Sequence, residues 1–213
     1  MYSMQGLWYG AMDNGMIVAC SSCEGMCKTE GDEKLLRYLY THKHMTPFEM
    51  AGLIIEVQAP IFVFREWHRH RTQSYNELSA RYTELPDLFY IPSIERLMAG
   101  GQSKTNKQGS GEERTEHWAL SVQSIIKTAL KSARTNYESL LSAGLSRELA
   151  RGVIPVNQYS RMRASANLRN WLGFLELRQA PGAQFEIREF ANAVGEIVKQ
   201  KFPRTWELFN ARG

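Results

Sequence analysis

The sequence predicts an α+β fold: a helix-rich single domain built around a small, mostly antiparallel sheet. Apolar residues recur at helical spacing over most of the second half of the chain, whereas runs of strand-favouring residues are short and few. The chain has 213 residues, of which 43% are hydrophobic, and this composition is sufficient for a core of ordinary globular proportions.

The first half of the chain alternates between strand and helix signals. We expect a short strand near Met16–Ala19 and a helix over Glu33–Lys43, where leucines share one face. Ala51–Gln58 is rich in Leu, Ile and Val, which predicts a strand buried on both faces. Pro60 then fits the first turn of a helix that runs to about His68.

The second half is predicted to be mainly helical. The longest helix is expected over Glu112–Ala143, where an apolar stripe recurs every three or four residues. Gly144 is suited to its C-terminal cap, and Asn157–Ala166 is expected to be extended. A further helix is expected to begin near Ser146 and to end before Pro155. Two more are expected over Asn167–Leu177 and Ala183–Gln200, and a short last helix follows Pro203.

One segment breaks the pattern of regular elements. Ala99–Gly111 holds four glycines among Ser, Lys, Asn and Gln, which is typical of a mobile surface loop. Its Gly-Ser-Gly has no GK[ST] after it, so it does not match a phosphate-binding loop. We therefore expect residues 1–213 to form a single domain that carries one mobile loop.

Composition narrows the class of protein. No apolar stretch approaches the roughly 18–20 residues of a membrane span, and the N-terminus lacks the pattern of a secretory signal. We therefore expect a soluble, cytoplasmic protein without a membrane partner. The net charge of +4 and the pI of about 9.0 favour anionic partners but do not choose among nucleotides, phosphates and nucleic acid.

The three cysteines lie close together in the sequence. Cys20, Cys23 and Cys27 could supply three ligands to a metal, but structural zinc sites usually contain paired CxxC units and a fourth ligand. The simpler interpretation is three reduced thiols in a loop, and we predict no metal site.

The densest polar run of the chain is Arg65–Tyr82, which holds four arginines, two histidines and two glutamates. It directly follows the apolar stretch Ala59–Phe64, so we expect a helix to carry Arg69–Arg71 to a partly buried position. Buried cations need counter-charges, and Glu66 and Glu77 supply only part of them. Because guanidinium groups suit phosphate oxygens, an anion site is favoured over a structural ion-pair network.

The same run carries a resemblance to a known family. Arg69-His70-Arg71-x-x-Ser74-x-Asn76-Glu77-x-Ser79-x-Arg81 resembles the RHRxxSxNExSxR signature of flavin-dependent thymidylate synthases at every specified position. Other segments resemble that family along most of the chain, from about Glu33 to Phe202. They are His44–Glu49, Tyr90–Ser93, Arg147–Arg151 with Pro155 and Asn157, Asn167–Arg169, Phe174–Arg178 and Ala183–Ile187.

The resemblance implies a homotetramer that binds FAD between subunits. A diphosphate is also the kind of anion that the arginines of the motif could neutralise. The residues that the resemblance places along FAD are His44, Thr46, Arg69, His70, Arg71, Glu77, Asn167, Leu168 and Arg169.

The resemblance also implies a binding site for dUMP. The residues that it places there are Glu66, Arg69, Glu77, Leu78, Ser79, Ala80, Arg81, Arg151 (from another subunit) and Arg178. Arg178 is the expected catalytic residue, because the matching arginine in the family faces the uracil ring and favours ionisation at N3. A fixed cation beside a developing anion stabilises it electrostatically.

The implied reaction converts dUMP to dTMP without a protein nucleophile. Methylenetetrahydrofolate would supply the carbon, and NADPH would reduce the FAD. Ser79 is the nearest candidate nucleophile, but the sequence shows no base partner for it. We therefore assign Ser79 to substrate binding.

Two alternatives stay open. A nucleic-acid-binding module would explain the basic run, although Glu66 and Glu77 would repel phosphates and no recognised nucleic-acid motif is present. An FAD-binding family member without synthase activity is the other alternative. It stays open because Gly173 stands where the family usually has Asn or His facing the flavin.

Overall fold

The computed structural model of the chain describes residues 4–9, 29–105 and 109–211. The strand expected near Met16–Ala19 lies outside these ranges, as do the three cysteines. The strand and the reduced thiols therefore stay predictions.

The described residues form mostly helices. The helices are α1 (Thr29–Thr41), α2 (Thr46–Glu49), α3 (Ile61–Trp67), α4 (Ile94–Met98), α5 (Glu116–Ser142), α6 (Arg147–Ala150), α7 (Leu168–Arg178), α8 (Phe185–Lys201) and α9 (Pro203–Asn210), with a 3-10 turn at Arg151–Val153. The strands are β1 (Met4–Tyr9), β2 (Gly52–Pro60), β3 (Ser74–Glu77), β4 (Gly101–Gln102), β5 (Ser110–Glu112) and β6 (Tyr159–Asn167).

Four strands form one small sheet in the order β1-β2-β6-β3, and β4 pairs with β5 separately. β1 lies antiparallel to β2, with Met4 opposite Val57 and Tyr9 opposite Gly52. The expected class, a helix-rich fold with a small antiparallel sheet, is confirmed.

Burial alternates along β2. Leu53, Ile55 and Val57 are buried, whereas the residues between them are only partly covered. The expectation that both faces of this strand are buried is therefore wrong. Since successive side chains of a strand point to opposite faces, only one face of β2 meets the core.

Several boundaries differ from those expected. Pro60 ends β2 and does not open the next helix, because Ile61 is the first residue of α3. The long helix begins at Glu116, since the Thr115 side chain accepts a hydrogen bond from the Trp118 amide and caps the helix there. β3 was not anticipated, because its four residues are mostly exposed and carry no apolar alternation.

The chain forms two compact units. The first comprises residues 1–57, 67–76 and 162–213, and the second comprises residues 58–66 and 77–161. The boundaries fall inside regular elements, with β2 and β6 among them, and not in a linker. The single-domain organisation over residues 1–213 stays a prediction.

Aromatic rings form the core of the first unit. Trp67, Trp171, Phe174 and Phe190 are all buried, and the Trp67 ring lies 4.7 Å from that of Phe174 between centroids. The Trp171 indole N–H also donates to the Leu53 carbonyl oxygen at 3.1 Å. These contacts hold α7 against β2, and they pack α7 and α8 around the Trp67 ring within this unit.

The second unit is organised around α5. Ala119, Leu130 and Tyr137 are the buried side chains of this helix. The loop Ala99–Gly111 contributes the short β4–β5 pair, in which Gly101 is buried. Whether this loop is mobile stays a prediction.

No helix among the described residues is long and apolar enough to cross a membrane.

Candidate active site

The arginines and the histidine of the RHR motif point in different directions. They follow α3 in a tight turn, where the Arg71 amide donates to the Arg69 carbonyl oxygen at 3.1 Å. Arg69 and Arg71 are exposed, whereas His70 is partly buried. The expectation of a partly buried Arg69–Arg71 cluster is therefore correct only for His70, because neighbouring side chains of a turn cannot all face the core.

Among the described residues, the two exposed arginines lack local counter-charges. Neither Arg69 nor Arg71 pairs with a carboxylate in the described ranges. The cost of burying cations therefore does not argue for an anion here. Two uncompensated guanidiniums, two residues apart, still fit a phosphate or diphosphate.

Hydrogen bonds fix the turn that carries these residues. The Tyr75 hydroxyl lies 3.0 Å from the Trp67 carbonyl oxygen and 2.7 Å from that of His70. The Trp67 indole N–H donates to Gln73 Oε1 at 3.0 Å, and the Gln73 amide donates to the His70 carbonyl oxygen. Because Trp67 is fully buried, the turn is anchored to the core of its unit.

The His70 ring meets the end of α7. Arg178 Nε donates to His70 Nε2 at 2.8 Å, across 108 positions of the chain. The His70 ring also has an apolar neighbour on α7, because it packs edge-on against Phe174 with ring centroids 4.8 Å apart. The sequence motif and the expected catalytic arginine are thus in direct contact.

Two groups of the turn have shifted pKa values. Burial, followed by the nearby Arg178 cation, lowers the pKa of His70 to about 4, so the imidazole is neutral at neutral pH. Burial raises the pKa of the Tyr75 phenol to about 12, which keeps its proton available for the carbonyl contacts.

The start of α7 places the three residues Asn167–Arg169 in different environments. The Asn167 side chain accepts from the Asn170 amide at 2.9 Å and caps the helix. Leu168 is fully buried, and its amide donates to the Ala51 carbonyl oxygen. Arg169 is exposed and forms an ion pair with Glu49 of α2. Arg169 therefore presents the most accessible side chain of the three.

Thr46 is the first residue of α2, His44 precedes it by two positions, and both are exposed. His44 extends a group of exposed rings, because its ring is stacked 6.0 Å from that of Tyr38, which in turn lies 4.1 Å from that of His42. Flat rings of this kind can stack on a planar ligand.

Ser79, Arg81 and Arg151 lie in the second unit, where two of them share one partner. Arg81 forms an exposed ion pair with the Glu148 carboxylate at 3.6 Å, and Arg151 Nε donates to the Glu148 carbonyl oxygen at 3.2 Å. Ser79 Oγ accepts a long, 3.4 Å hydrogen bond from the Arg81 amide. Within the described residues, no histidine or carboxylate is bonded to Ser79 Oγ.

Four other expected substrate residues belong to the same unit. Glu66 is partly buried at the end of α3, and Glu77 is exposed at the end of β3. Leu78 donates its amide to the Arg161 carbonyl oxygen at 2.8 Å, and Ala80 is partly buried.

Two groups of the expected site residues are thus each brought together within one unit. The first is His70 with Arg178, flanked by Arg69 and Arg71. The second is Ser79 and Arg81 with Arg151, gathered around Glu148. Each unit contributes cations suited to a nucleotide.

Gly173 leaves open space on α7. A Cβ built at this position would meet no atom within 4 Å in the part of the chain that is described. Within the described residues, nothing else occupies the place of the side chain that the sequence comparison expected.

Sequence reasoning did not assign to the site several residues that support it. They are Tyr75 and Gln73 in the turn, Phe174 under the His70 ring, Glu49 beside Arg169 and Glu148 between two arginines. Tyr75 and Gln73 occupy unspecified positions of the motif, and an aromatic inside a polar run was the available signal for Tyr75. Glu49 and Glu148 lie in segments that were recognised, but their partners are distant in sequence.

Comparison with known proteins identifies the family. The sequence profile of the thymidylate synthase complementing protein family matches residues 7–204. The match covers most of the chain, so the protein belongs to this family.

Curated relatives carry the name flavin-dependent thymidylate synthase. That of Thermus thermophilus is 42% identical over 186 residues, which are 87% of this chain and 66% of the relative. That of Anaplasma marginale is 39% identical over 203 residues, covering 94% of this chain and 69% of the relative. That of Thermosipho africanus is 38% identical over 187 residues, which cover 87% of this chain and 80% of the relative. The chain spans about two thirds of the length of the first of these relatives.

A solved structure shares the fold. The UMP/dUMP methylase PolB from Streptomyces cacaoi, bound with 5-Br dUMP, matches with a TM-score of 0.82 and 29% identity. The match covers 98% of this chain and 95% of that one.

Proposed function

We propose that this chain is a flavin-dependent thymidylate synthase that converts dUMP to dTMP. The observation that carries the proposal is the turn in which exposed Arg69 and Arg71 flank His70, whose ring is bonded to Arg178. This turn therefore carries two cations that suit a nucleotide, and its histidine contacts the arginine that is expected to act on the uracil. The family membership and the curated relatives support the same activity.

The residues fit an FAD diphosphate. Arg69 and Arg71 are accessible and lack carboxylate partners among the described residues, so a diphosphate would not have to displace an ion pair. The other residues proposed to contact FAD are His44, Thr46, His70, Glu77, Asn167, Leu168 and Arg169. Reduced FAD would supply the electrons of the methylation, and NADPH and methylenetetrahydrofolate are the proposed co-substrates.

The chain's own residues have separate tasks in this proposal. Arg81 binds the dUMP phosphate together with Arg151 of another subunit, and the Ser79 hydroxyl donates to it. Glu66, Leu78 and Ala80 are further residues proposed to contact dUMP. Arg178 lies against the uracil ring and stabilises negative charge that develops at N3. Since no base is bonded to Ser79 Oγ in the described residues, side-chain nucleophilic catalysis has no support.

We also propose that four copies assemble and share these sites. The described surface of α5 carries large exposed apolar side chains, of which Ile125 is 69% exposed. Others on the second unit are Trp118, Leu120, Leu149 and Val156. Such side chains suit contacts between subunits.

The activity is tested by tritium release from 5-labelled dUMP, with methylenetetrahydrofolate, NADPH and FAD present. We expect dTMP formation and a bound flavin with an absorbance near roughly 450 nm. Omitting folate is the matched control and abolishes product. Colourless protein that also fails to take up FAD contradicts the proposal, and flavin binding without dTMP supports the family member without synthase activity.

Arg178→Ala is the residue-specific test. We expect dTMP formation to fall at least about 100-fold with FAD still bound, because a fixed cation at a developing anion is worth roughly that much. Arg188→Ala, which removes an arginine of α8 outside the expected site, is the control. Near-normal turnover in Arg178→Ala excludes the proposed role.

A further inference from the structure

The His70 imidazole is held in a fixed position within the first unit. Its backbone carbonyl accepts from both the Tyr75 hydroxyl and the Gln73 amide, and its ring lies edge-on against buried Phe174. The two hydrogen bonds fix the backbone of His70, and the Phe174 ring restricts the rotamers that are open to the imidazole. His70 therefore offers a rigid point of attachment, unlike the exposed arginines on either side.

The direction of the hydrogen bond to Arg178 follows from chemistry. A guanidinium has only donors, so His70 Nε2 must accept from Arg178 Nε. The ring proton must then lie on Nδ1. Burial and the Arg178 cation lower the pKa of His70 to about 4, in accord with a neutral ring.

A hydrogen bond at Nε controls the orientation of an arginine. The guanidinium is planar, so fixing Nε directs the plane that also contains Nη1 and Nη2. Arg178 is the last residue of α7, where the helix alone leaves its long side chain many rotamers. A neutral acceptor orients this side chain and adds no negative charge, whereas a carboxylate at the same place would weaken the field of the cation.

We propose that His70 is a positioning residue, which holds the guanidinium of Arg178 through Nε2 so that its positive charge faces the substrate ring. This inference rests on the proposed function, in which Arg178 stabilises charge on the uracil. His70 then acts on the reaction through Arg178, in addition to any contact that its turn makes with FAD.

Three substitutions at one position separate the properties of the ring. His70→Phe keeps an aromatic ring against Phe174 but has no acceptor. His70→Gln keeps a neutral acceptor near the place of Nε2, and His70→Glu keeps an acceptor of the same length with a negative charge. Steady-state kcat and KM for dUMP, together with bound FAD measured by absorbance, are compared with those of the unaltered chain.

We expect His70→Phe to lower kcat roughly 10- to 100-fold, with KM for dUMP changed less than about threefold, since misorientation affects the reacting state more than binding. His70→Gln recovers at least about a third of the original kcat, whereas His70→Glu stays about as slow as His70→Phe. Equal kcat in all three variants, or His70→Phe with near-normal kcat, overturns the positioning role.

The hydrogen bond is also tested without turnover. Nitrogen NMR of the ¹⁵N-histidine-labelled protein is expected to show His70 as the neutral Nδ1–H tautomer near pH 7, and Arg178→Ala is expected to change its resonances. An Nε2–H tautomer overturns the proposal even if the enzyme is active. Absence of dTMP formation together with an Nδ1–H tautomer instead defeats the proposed function and leaves the hydrogen-bonded pair in place, so the two failures are distinguishable.

Discussion

Single side chains of the expected site differ in the kind of support that they receive. His70 has three fixed contacts, whereas Ser79 has a single weak one, the 3.4 Å hydrogen bond from the Arg81 amide. A hydroxyl held so loosely can turn its proton toward a ligand oxygen. This favours Ser79 as a donor to phosphate and not as an activated nucleophile.

Replacing Ser79 by Ala tests this assignment. We expect KM for dUMP to rise roughly 10- to 100-fold while kcat stays within about threefold, because a hydrogen bond to a charged phosphate is worth roughly 1.5–3 kcal/mol. The Ser124→Ala variant, at an exposed position of α5, is the control. Loss of turnover with unchanged dUMP binding is the result that returns Ser79 to the role of nucleophile.

The low pKa of His70 predicts a pH dependence of stability. The unfolded value is near 6.5 and the folded value is about 4, so the unfolded chain binds more protons between these pH values. The contribution of neutral His70 to the free energy of unfolding is therefore complete above about pH 6.5, and it is lost as the pH falls toward 4. Its size is on the order of 1–2 kcal/mol after allowance for partial exposure.

Urea unfolding at several pH values between 4.5 and 7 measures this effect. Many carboxylates also titrate on acidification, so the informative quantity is the difference between the unaltered chain and His70→Gln. We expect the free energy of unfolding to depend less steeply on pH in the variant. Parallel pH curves for the two proteins contradict the neutral, partly buried state of His70.

At the scale of elements, α7 links the core to the site. Its buried face carries Trp171, Phe174 and Leu175, its first residue is capped by Asn167, and its last is Arg178. Helical geometry thus sets the rise along the axis from the cap Asn167 to Arg178 at about eleven residues, or roughly 16 Å. Packing of this helix is what brings Arg178 to the His70 turn.

Two glycines on neighbouring helices predict opposite responses to alanine. At Gly173 of α7 an added Cβ meets nothing within 4 Å among the described residues. We expect Gly173→Ala to raise the free energy of unfolding by about 0.5–1 kcal/mol, because alanine favours helix. At Gly195 of α8 the Cβ would lie 2.8 Å from both Trp206 and Gln179. We expect Gly195→Ala to lower the free energy of unfolding by about 1–3 kcal/mol.

Chemical denaturation of the two variants checks this pair. Each serves as the control for the other, since both replace a helical glycine by the same residue. Destabilisation in Gly173→Ala shows that a residue outside the described ranges, or another subunit, occupies the space beside α7. Such a result also bears on the flavin contact that an Asn or His at this position is expected to make.

At the scale of the whole molecule, the main expectation is assembly. We expect light scattering to give a mass about four times the 24.4 kDa of the chain. Ile125→Glu places a charge on the exposed apolar side of α5 and is expected to shift the mass toward smaller species. Ser124→Glu adds the same charge at the adjacent exposed position and is the control. A monomeric unaltered protein contradicts shared sites.

Much of this organisation could be predicted from residues near each other in sequence. The long helix, α7 and α8 followed from apolar spacing, and the motif Arg69–Arg81 followed from residue types at fixed intervals. Their bounds shifted by a few residues where a side chain such as that of Thr115 provided the cap. β1 could not be anticipated, since its pairing with β2 joins Met4 to Val57.

The sequence by itself determined the class of fold, the family and the set of cations available to a nucleotide, because periodicity and motif spacing are local properties. Only the tertiary structure decided that Arg69 and Arg71 face outward while His70 turns inward and receives Arg178 from 108 positions away. The physical reason is that this contact requires α7 to pack on the aromatic core beneath the turn. No pattern of neighbouring residues encodes which acceptor then meets the arginine.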